Sequence, residues 1–216
     1  MVSKVKNLKR RGFMFILSSP SGAGKTTLAR MLMKKDNGLV ISTSYTTRAK
    51  RAGEVDGKDY YFVNEKQFQK HIDEGFFLEH AKVFQNFYGT PKHFVFNHLN
   101  NGEDVLFDID WQGTEQIKSK YREQVASIFI LPPSMAELER RLRARNNDSE
   151  QIIEHRMSKA NFEISHYNSY DFVIVNDNLE ESLAKIYAIL TAERLKRVRQ
   201  NNLSDFVDGL INNKVV

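Results

Sequence analysis

The chain has 216 residues, 41% of them hydrophobic, which is enough to bury one core without disulfides or metal ions. It contains no cysteine, so disulfide frameworks and thiolate metal sites are excluded, and a cytoplasmic location is predicted. Lysine and arginine number 32 against 27 aspartate and glutamate, a net charge of +5. This mild excess suits an anionic small ligand as well as nucleic acid, so charge alone identifies no partner.

The first predicted strand follows a basic segment, residues 1–12. No long apolar run comes after it, so we expect a disordered arm rather than a signal peptide or a membrane span. The run from Phe13 to Leu17 is typical of a buried parallel strand, and Leu28, Met31 and Leu32 then recur at helical spacing. Strand, glycine-rich loop and helix therefore form the opening unit.

Four more strands and three more helices are predicted along the chain. The strands are Leu39 to Ser42, Val105 to Ile109, Ser127 to Leu131 and Phe172 to Val175. The helices are Gly113 to Lys120, one that opens with a capping box at Ser134 to Glu137, and Leu179 to Gln200. Leu179, Leu183, Ile186, Leu190 and Leu195 are expected on one face of the last helix. The alternation predicts a three-layer α/β fold around a central, mainly parallel sheet.

Two stretches interrupt the alternation. Residues 44–102 are polar, aromatic and turn-rich, which predicts an inserted subdomain, and residues 141–156 are strongly charged, which predicts a small lid. The core domain is then expected to comprise residues 13–43, 103–140 and 157–200, followed by a tail over 201–216.

The loop between the first strand and helix has the features of a phosphate loop. A triphosphate needs converging backbone N–H donors, glycines where side chains would block approach, and a cation, and Gly22, Gly24 and Lys25 meet these needs. The usual pattern has glycine where Ser19 stands, which affects the loop geometry at that end. We predict a P-loop NTPase-type fold that contacts ATP through Ser19, Pro20, Ser21, Gly22, Ala23, Gly24, Lys25, Thr26 and Thr27.

A carboxylate at the end of a neighbouring strand is expected to orient Mg²⁺ opposite the hydroxyl of Thr26. Asp108 and Asp110 both end the strand that begins at Val105, and the alternative for either is a helix cap. We assign the metal to Thr26 and Asp110. The segment from Asp110 to Gly113 also matches the Asp-x-x-Gly pattern of GTPase switches, but no Asn-Lys-x-Asp motif accompanies it, so a GTPase is not predicted.

The segment from Ser42 to Phe62, STSYTTRAKRAGEVDGKDYYF, closely resembles the acceptor-site signature of guanylate kinases. The resemblance continues through Phe77–Glu79, Tyr88–Thr90, Asp108–Gly113, Pro132–Ser134 and Val173–Asp177, and covers residues 13 to 197. It implies transfer of the γ-phosphoryl group of ATP to GMP, with Mg²⁺ as cofactor and the inserted subdomain as the GMP-binding part. It implies no nucleic-acid or membrane partner, and homo-oligomerisation is left open.

The acceptor site follows from the chemistry of GMP. Arg48 and Arg51, three residues apart, can bind the phosphate dianion, and one carboxylate, Glu79, can accept from both guanine N1–H and N2–H. The resemblance adds phenol hydroxyls on the phosphate and further polar contacts to the base. The full GMP site that it implies is Ser44, Arg48, Arg51, Tyr60, Glu79, Tyr88, Gly89, Thr90 and Asp108.

Arginines of the predicted lid align with the lid arginines of guanylate kinases; the alternative is a solvated helix face. The catalytic set implied is Lys25, Arg48, Arg141, Arg145 and Arg156. By the same resemblance Asn176 lies beside the donor adenine. Two other functions remain open: a non-catalytic guanylate-kinase-like module that binds peptides, and a kinase for another nucleoside monophosphate. The presence of Lys25, Arg48 and Glu79 disfavours the module.

Overall fold

The computed structural model describes residues 10–51, 53–83, 85–144 and 150–212. Its strands are β1 (Met14–Ser18), β2 (Leu39–Ile41), β3 (Tyr45–Thr46), β4 (Tyr61–Phe62), β5 (Phe77–Val83), β6 (Asn86–Pro91), β7 (Asp104–Asp108), β8 (Val125–Leu131) and β9 (Phe172–Val175). Its α-helices are α1 (Lys25–Lys35), α2 (Glu65–Asp73), α3 (Lys92–Asn100), α4 (Trp111–Tyr121), α5 (Met135–Arg143), α6 (Glu150–Ser165), α7 (Leu179–Leu195) and α8 (Leu203–Ile211). Short 3₁₀ turns cover Arg122–Gln124, His166–Ser169 and Arg197–Arg199.

The central sheet has five parallel strands in the order β2-β7-β1-β8-β9. Strand β1 pairs with β7 on one edge and β8 on the other, and both of its faces are buried because helices pack on each side of the sheet. Phe15 and Leu17 enter the core cluster of α1, α5, α6 and α7, whereas Met14 and Ile16 enter the cluster of α3 and α4. The result is three layers, and the predicted P-loop NTPase-type fold is confirmed.

The predicted strands all form, within two residues of their expected ends. The last long helix is shorter than predicted, because α7 ends at Leu195 and the chain then turns into the 3₁₀ segment Arg197–Arg199. Its predicted apolar face is wrong at both ends: Leu179 is 40% and Leu195 73% exposed. These two residues lie in the terminal turns, beyond the part of the helix that packs on the sheet.

A second, four-stranded sheet in the order β4-β3-β6-β5 lies within the segment expected to form the inserted subdomain. Pairing is parallel between β3 and β4 and antiparallel elsewhere. Helix α3 falls inside the same predicted segment, yet Val95 and Leu99, one helical turn apart, bury completely against the central sheet. At the two ends of the segment expected to form the lid, Arg141 belongs to α5 and Arg156 to α6.

A buried ion network closes the edge of the central sheet where β7 begins. Asp104 is fully buried and accepts from both Arg10 and Arg194, and Arg194 also binds Asp36 at 2.6 Å. Removing one member of such a buried network costs about 3–5 kcal/mol, because a charge is left without a partner. Arg10 is thereby held against the domain, although it falls in the arm expected to be disordered; residues 1–9 of that arm lie outside the described residues.

No helix in the described part of the chain combines the length and the apolar character that crossing a bilayer requires.

Candidate functional site

The phosphate loop joins the end of β1 to the start of α1. Gly22 and Gly24 both have positive φ, 100° and 99°, a conformation that side chains disfavour. A Cβ at Gly24 would also collide with the side-chain amide of Asn176, which donates to the carbonyl of Ala23 at 2.8 Å. The loop forms with Ser19 in the usual glycine position, and the Ser19 hydroxyl donates to the carbonyl of Pro20.

Asn176 stabilises the phosphate loop through its side-chain bond to the carbonyl of Ala23. The residue is 1% exposed, and its backbone carbonyl accepts from both terminal nitrogens of Arg141 at 3.1 Å. Arg141 also donates to Glu137, one turn earlier in α5. Asn176, expected beside the donor adenine, therefore contacts Arg141, expected to stabilise the transferring phosphoryl group. Both residues lie outside the lining of the cavity described below.

The carboxyl end of β7 faces the loop. Asp108 forms an ion pair with Lys25 and accepts a hydrogen bond from the hydroxyl of Thr26 at 3.0 Å. Asp110 instead caps α4, accepting from the backbone N–H of Gly113 at 3.2 Å. The structure thus brings Asp108, rather than Asp110, to the hydroxyl expected to bind the metal.

The oxygens of Thr26 and Asp108 are hard ligands of the kind that Mg²⁺ prefers. No group of three or more histidine, aspartate or glutamate side chains within the described ranges is arranged to hold a metal alone. Such a pair fits Mg²⁺ only together with phosphate oxygens, which is how this ion usually binds at nucleotide sites.

A cavity of about 240 Å³ separates the loop from the second sheet. Its lining includes most of the predicted residues: Ser19, Pro20, Ser21, Gly22, Gly24, Lys25, Thr26, Ser44, Tyr60, Glu79, Tyr88, Asp108 and Asp110. Thr27 is exposed on α1 and does not line it. Gly89 has a packing role, because a Cβ there would stand 2.9 Å from the ring of Phe77.

On the second sheet, the lining residues Ser44 and Glu79 are linked through Thr90. Thr90 donates to Glu79 at 2.7 Å, and the hydroxyls of Thr90 and Ser44 are 3.4 Å apart. Glu79 is 3% exposed, and a Cβ at Gly113 would stand 2.5 Å from its Oε2. Gly113 therefore permits the carboxylate to pack directly against α4, a requirement that sequence reasoning missed.

Burial raises the pKa of Glu79 to about 7, and the nearby charge of Asp110 adds to this shift. An acid with a raised pKa is protonated below that value, and a protonated carboxyl cannot accept two hydrogen bonds from a base. We expect the apparent affinity for a ligand with paired N–H donors to rise about fivefold to tenfold between pH 6 and pH 8. The check is KM for GMP, the acceptor that the resemblance implies, across this range. Glu79→Gln is the control that retains only the titration of the GMP phosphate.

Helix α4 fastens the second sheet to the central one. The side chain of Gln116 accepts from the backbone N–H of His80 at 3.2 Å and donates to its carbonyl at 2.8 Å. Gln112, one turn earlier, donates to the carbonyl of Lys82. Together with the contact of Gly113 and Glu79, these bonds hold β5 along one face of α4.

The cationic group expected to bind phosphate lies beside Tyr60, which lines the cavity, but Arg48 and Arg51 are not themselves part of the lining. Arg48 donates to Glu54 at 2.6 Å and lies over the ring of Tyr60 at 5.3 Å; the rings of Tyr60 and Tyr88 meet edge to face at 6.0 Å. Burial raises the pKa of Tyr60 to about 12, so its phenol remains a donor. Glu54 also accepts from the backbone N–H of Arg51, so one carboxylate holds both arginine positions.

Helix α6 reaches the phosphate loop from the other side. Arg156 donates to the hydroxyl of Ser21 at 3.2 Å, and Glu163 accepts from the backbone N–H of the same residue at 3.2 Å. Glu163 lines the cavity and was not predicted, because its partner is far away in the sequence. Arg145, the third predicted lid arginine, lies outside the described residues.

Comparison with known proteins gives consistent matches. Residues 11–193 match the family model described as guanylate kinase. The chain is 53% identical over 210 residues to a guanylate kinase of Paramagnetospirillum magneticum, covering 97% of this chain and 98% of that one. It is 54% identical over 203 residues to that of Nitrobacter winogradskyi, covering 94% and 93%. A crystal structure of guanylate kinase from Anaplasma phagocytophilum superposes with a TM-score of 0.81 at 42% identity, covering 97% and 99%.

Proposed function

This chain belongs to the guanylate kinase family and is an ATP:GMP phosphotransferase, and on that premise we propose how its residues share the reaction. The phosphates of the two substrates meet in the cavity between the phosphate loop and the second sheet, with ATP extending from the loop and GMP from the sheet. The observation that carries the proposal is the joint presence of Lys25 and Glu79 in the lining of that cavity. We also propose that this phosphoryl transfer takes place in the cytoplasm.

On the donor side, backbone N–H groups of the loop and the Lys25 ammonium bind the terminal phosphates of ATP. Lys25 exchanges its ion pair with Asp108 for these oxygens. Thr26 and Asp108 would hold Mg²⁺ beside them, an ion that neutralises developing charge on the phosphates. In this assignment Asp110 serves as the cap that positions the start of α4.

On the acceptor side, the Glu79 carboxylate accepts from guanine N1–H and N2–H, and Thr90 and Ser44 complete the wall. Asp108 stands close enough to the phosphate loop to serve the metal, so its predicted contact with the base becomes secondary. Arg48 and Arg51 bind the GMP phosphate, with hydroxyl bonds from Tyr60 and Tyr88, and thereby hold an oxygen in line with the γ-phosphorus.

No general base is required, because the attacking phosphate oxygen is already anionic. Its lone pair forms the new P–O bond as the bond to ADP breaks, and the negative charge leaves with ADP. Arg156 already contacts Ser21 of the loop and would place its guanidinium on the transferring group. Arg141 and Arg145 are proposed to complete this charge stabilisation, with Asn176 next to Arg141 beside the adenine.

A coupled assay with GMP, AMP, CMP and UMP tests the proposal. We expect kcat/KM for GMP to exceed that of each other monophosphate by at least about a thousandfold, because a site built to accept two hydrogen bonds rejects bases that lack them. Comparable rates with AMP would favour a kinase for another monophosphate. Binding without turnover of any of the four would favour the interaction module.

A further inference from the structure

Glu163 is an ionisable side chain in the cavity that the reaction described above does not use. It lies on α6, lines the same cavity as Lys25 and Asp110, and accepts from the backbone N–H of Ser21 at 3.2 Å. Burial raises the pKa of its carboxyl, while the N–H of Ser21 and the charge of Lys25 act in the opposite direction. It is therefore a cavity acid close to the loop lysine.

The contact between Glu163 and Ser21 places a carboxylate where a phosphate oxygen of ATP is expected. Backbone N–H groups of a phosphate loop are the donors that receive phosphate oxygens. In this structure the Glu163 carboxylate accepts from one of these donors, and a second carboxylate, Asp108, pairs with Lys25. Negative charge that enters with ATP must compete with both acids for the same partners.

Ser21 is also the point where α6 is attached to the loop. Its hydroxyl accepts from Arg156 and its N–H donates to Glu163, two turns further along the same helix. A change at one contact is thus transmitted to the other through a single rigid helix. Arg156 is one of the arginines that the proposed reaction needs near the transferred group.

We propose that Glu163 is a positioning residue: it stands in for a phosphate oxygen at Ser21, and its displacement by ATP moves α6 and so orients Arg156. The inference rests on the proposed function, because it takes the loop as the donor site. A residue that only stabilised the loop would have the opposite signature. Its loss would loosen the loop and weaken nucleotide binding, whereas loss of a competing anion strengthens it.

The test compares Glu163→Gln with the wild type by calorimetry, using a non-hydrolysable ATP analogue with Mg²⁺ and no GMP. The amide keeps the shape and a hydrogen-bond acceptor but removes the charge, so we expect binding about threefold to tenfold tighter. Glu154→Gln is the matched control, since Glu154 is exposed on the same helix and does not line the cavity. Equal or weaker binding by Glu163→Gln, with an unchanged melting temperature, overturns the inference.

The single tryptophan of the chain provides a second readout, independent of turnover. Trp111 stacks on His166 at 3.8 Å and meets the edge of Phe162, the neighbour of Glu163 on α6, at 5.7 Å. Movement of α6 changes this environment, so we expect the analogue to alter the emission of the wild type, and to alter that of Glu163→Gln less.

The outcomes separate the two proposals. Wild-type emission that stays constant while calorimetry records binding overturns the coupling to α6 alone. Failure of the wild type to bind the analogue at all counts against the donor site, and with it the proposed function.

Discussion

Replacement of Lys25 by methionine is expected to lower kcat about 100-fold to 1,000-fold while the protein stays folded. Methionine has a similar length but no charge, so the terminal phosphates lose their ammonium partner in the transition state. The fold should tolerate the change, because Lys25 lies outside both core clusters and Asp108 keeps its hydrogen bond from Thr26. The measurement is kcat under saturating ATP and GMP, together with thermal unfolding followed by circular dichroism.

Lys34→Met is the matched control for this prediction. Lys34 lies on the same helix, in its last turn, and is exposed. The Lys34→Met substitution removes one positive charge without changing the cavity, so the kcat of this variant should stay within about twofold of the wild type. A turnover rate of Lys25→Met close to that of the wild type would contradict the assignment of Lys25 and the phosphate loop to the transfer step.

Replacement of Glu79 by glutamine is expected to reduce kcat/KM for GMP about 100-fold, equivalent to about 2.7 kcal/mol of transition-state binding. The amide offers one acceptor oxygen and presents an N–H₂ group to a guanine donor, so one good contact is lost and one repulsive contact is gained. Thr90 can still donate to the remaining oxygen, so the wall itself should persist.

The ratio of GMP to IMP is the sharper measurement for this variant. IMP lacks the exocyclic amine, so the wild type should prefer GMP and Glu79→Gln should show a much smaller preference. Glu65→Gln, an exposed acid at the start of α2, is the control and should leave the ratio unchanged. A ratio that stays the same in Glu79→Gln would place guanine selection elsewhere in the cavity.

Local patterns were sufficient to predict the parts of the site that are contiguous in sequence. The phosphate loop could be located because an apolar strand, two glycines and a helix follow one another between Met14 and Lys35. The choice between Asp108 and Asp110 could not be made in this way. Both end the same strand, and only the backbone path of β7 decides which faces Thr26 and which caps α4.

Residues whose roles depend on distant partners were missed. In the sequence, Glu163 is one of several charged residues on its helix. Its role was not predicted because its partner, Ser21, comes close only in the folded chain. Gly113 matched the spacing of a switch motif by chance, and its contact with Glu79 depends on how α4 packs against the second sheet. Glu54 lies six residues after Arg48, outside the i, i+3 and i, i+4 spacing of helix neighbours, so the sequence pattern did not predict its bond to that arginine.

The bonds between α4 and β5 have a consequence for any closing motion. Gln112 and Gln116 fix β5, and with it Glu79, to the body that carries the phosphate loop. A rotation of the second sheet would then have its axis near Glu79 and the guanine base, and Arg48 and Arg51 would lie farthest from that axis. The base end of GMP would barely move, while its phosphate would sweep through the larger arc. Guanine would thus be recognised before the phosphate is aligned. A base that does not bind Glu79 would leave its nucleotide unanchored when the sheet rotates.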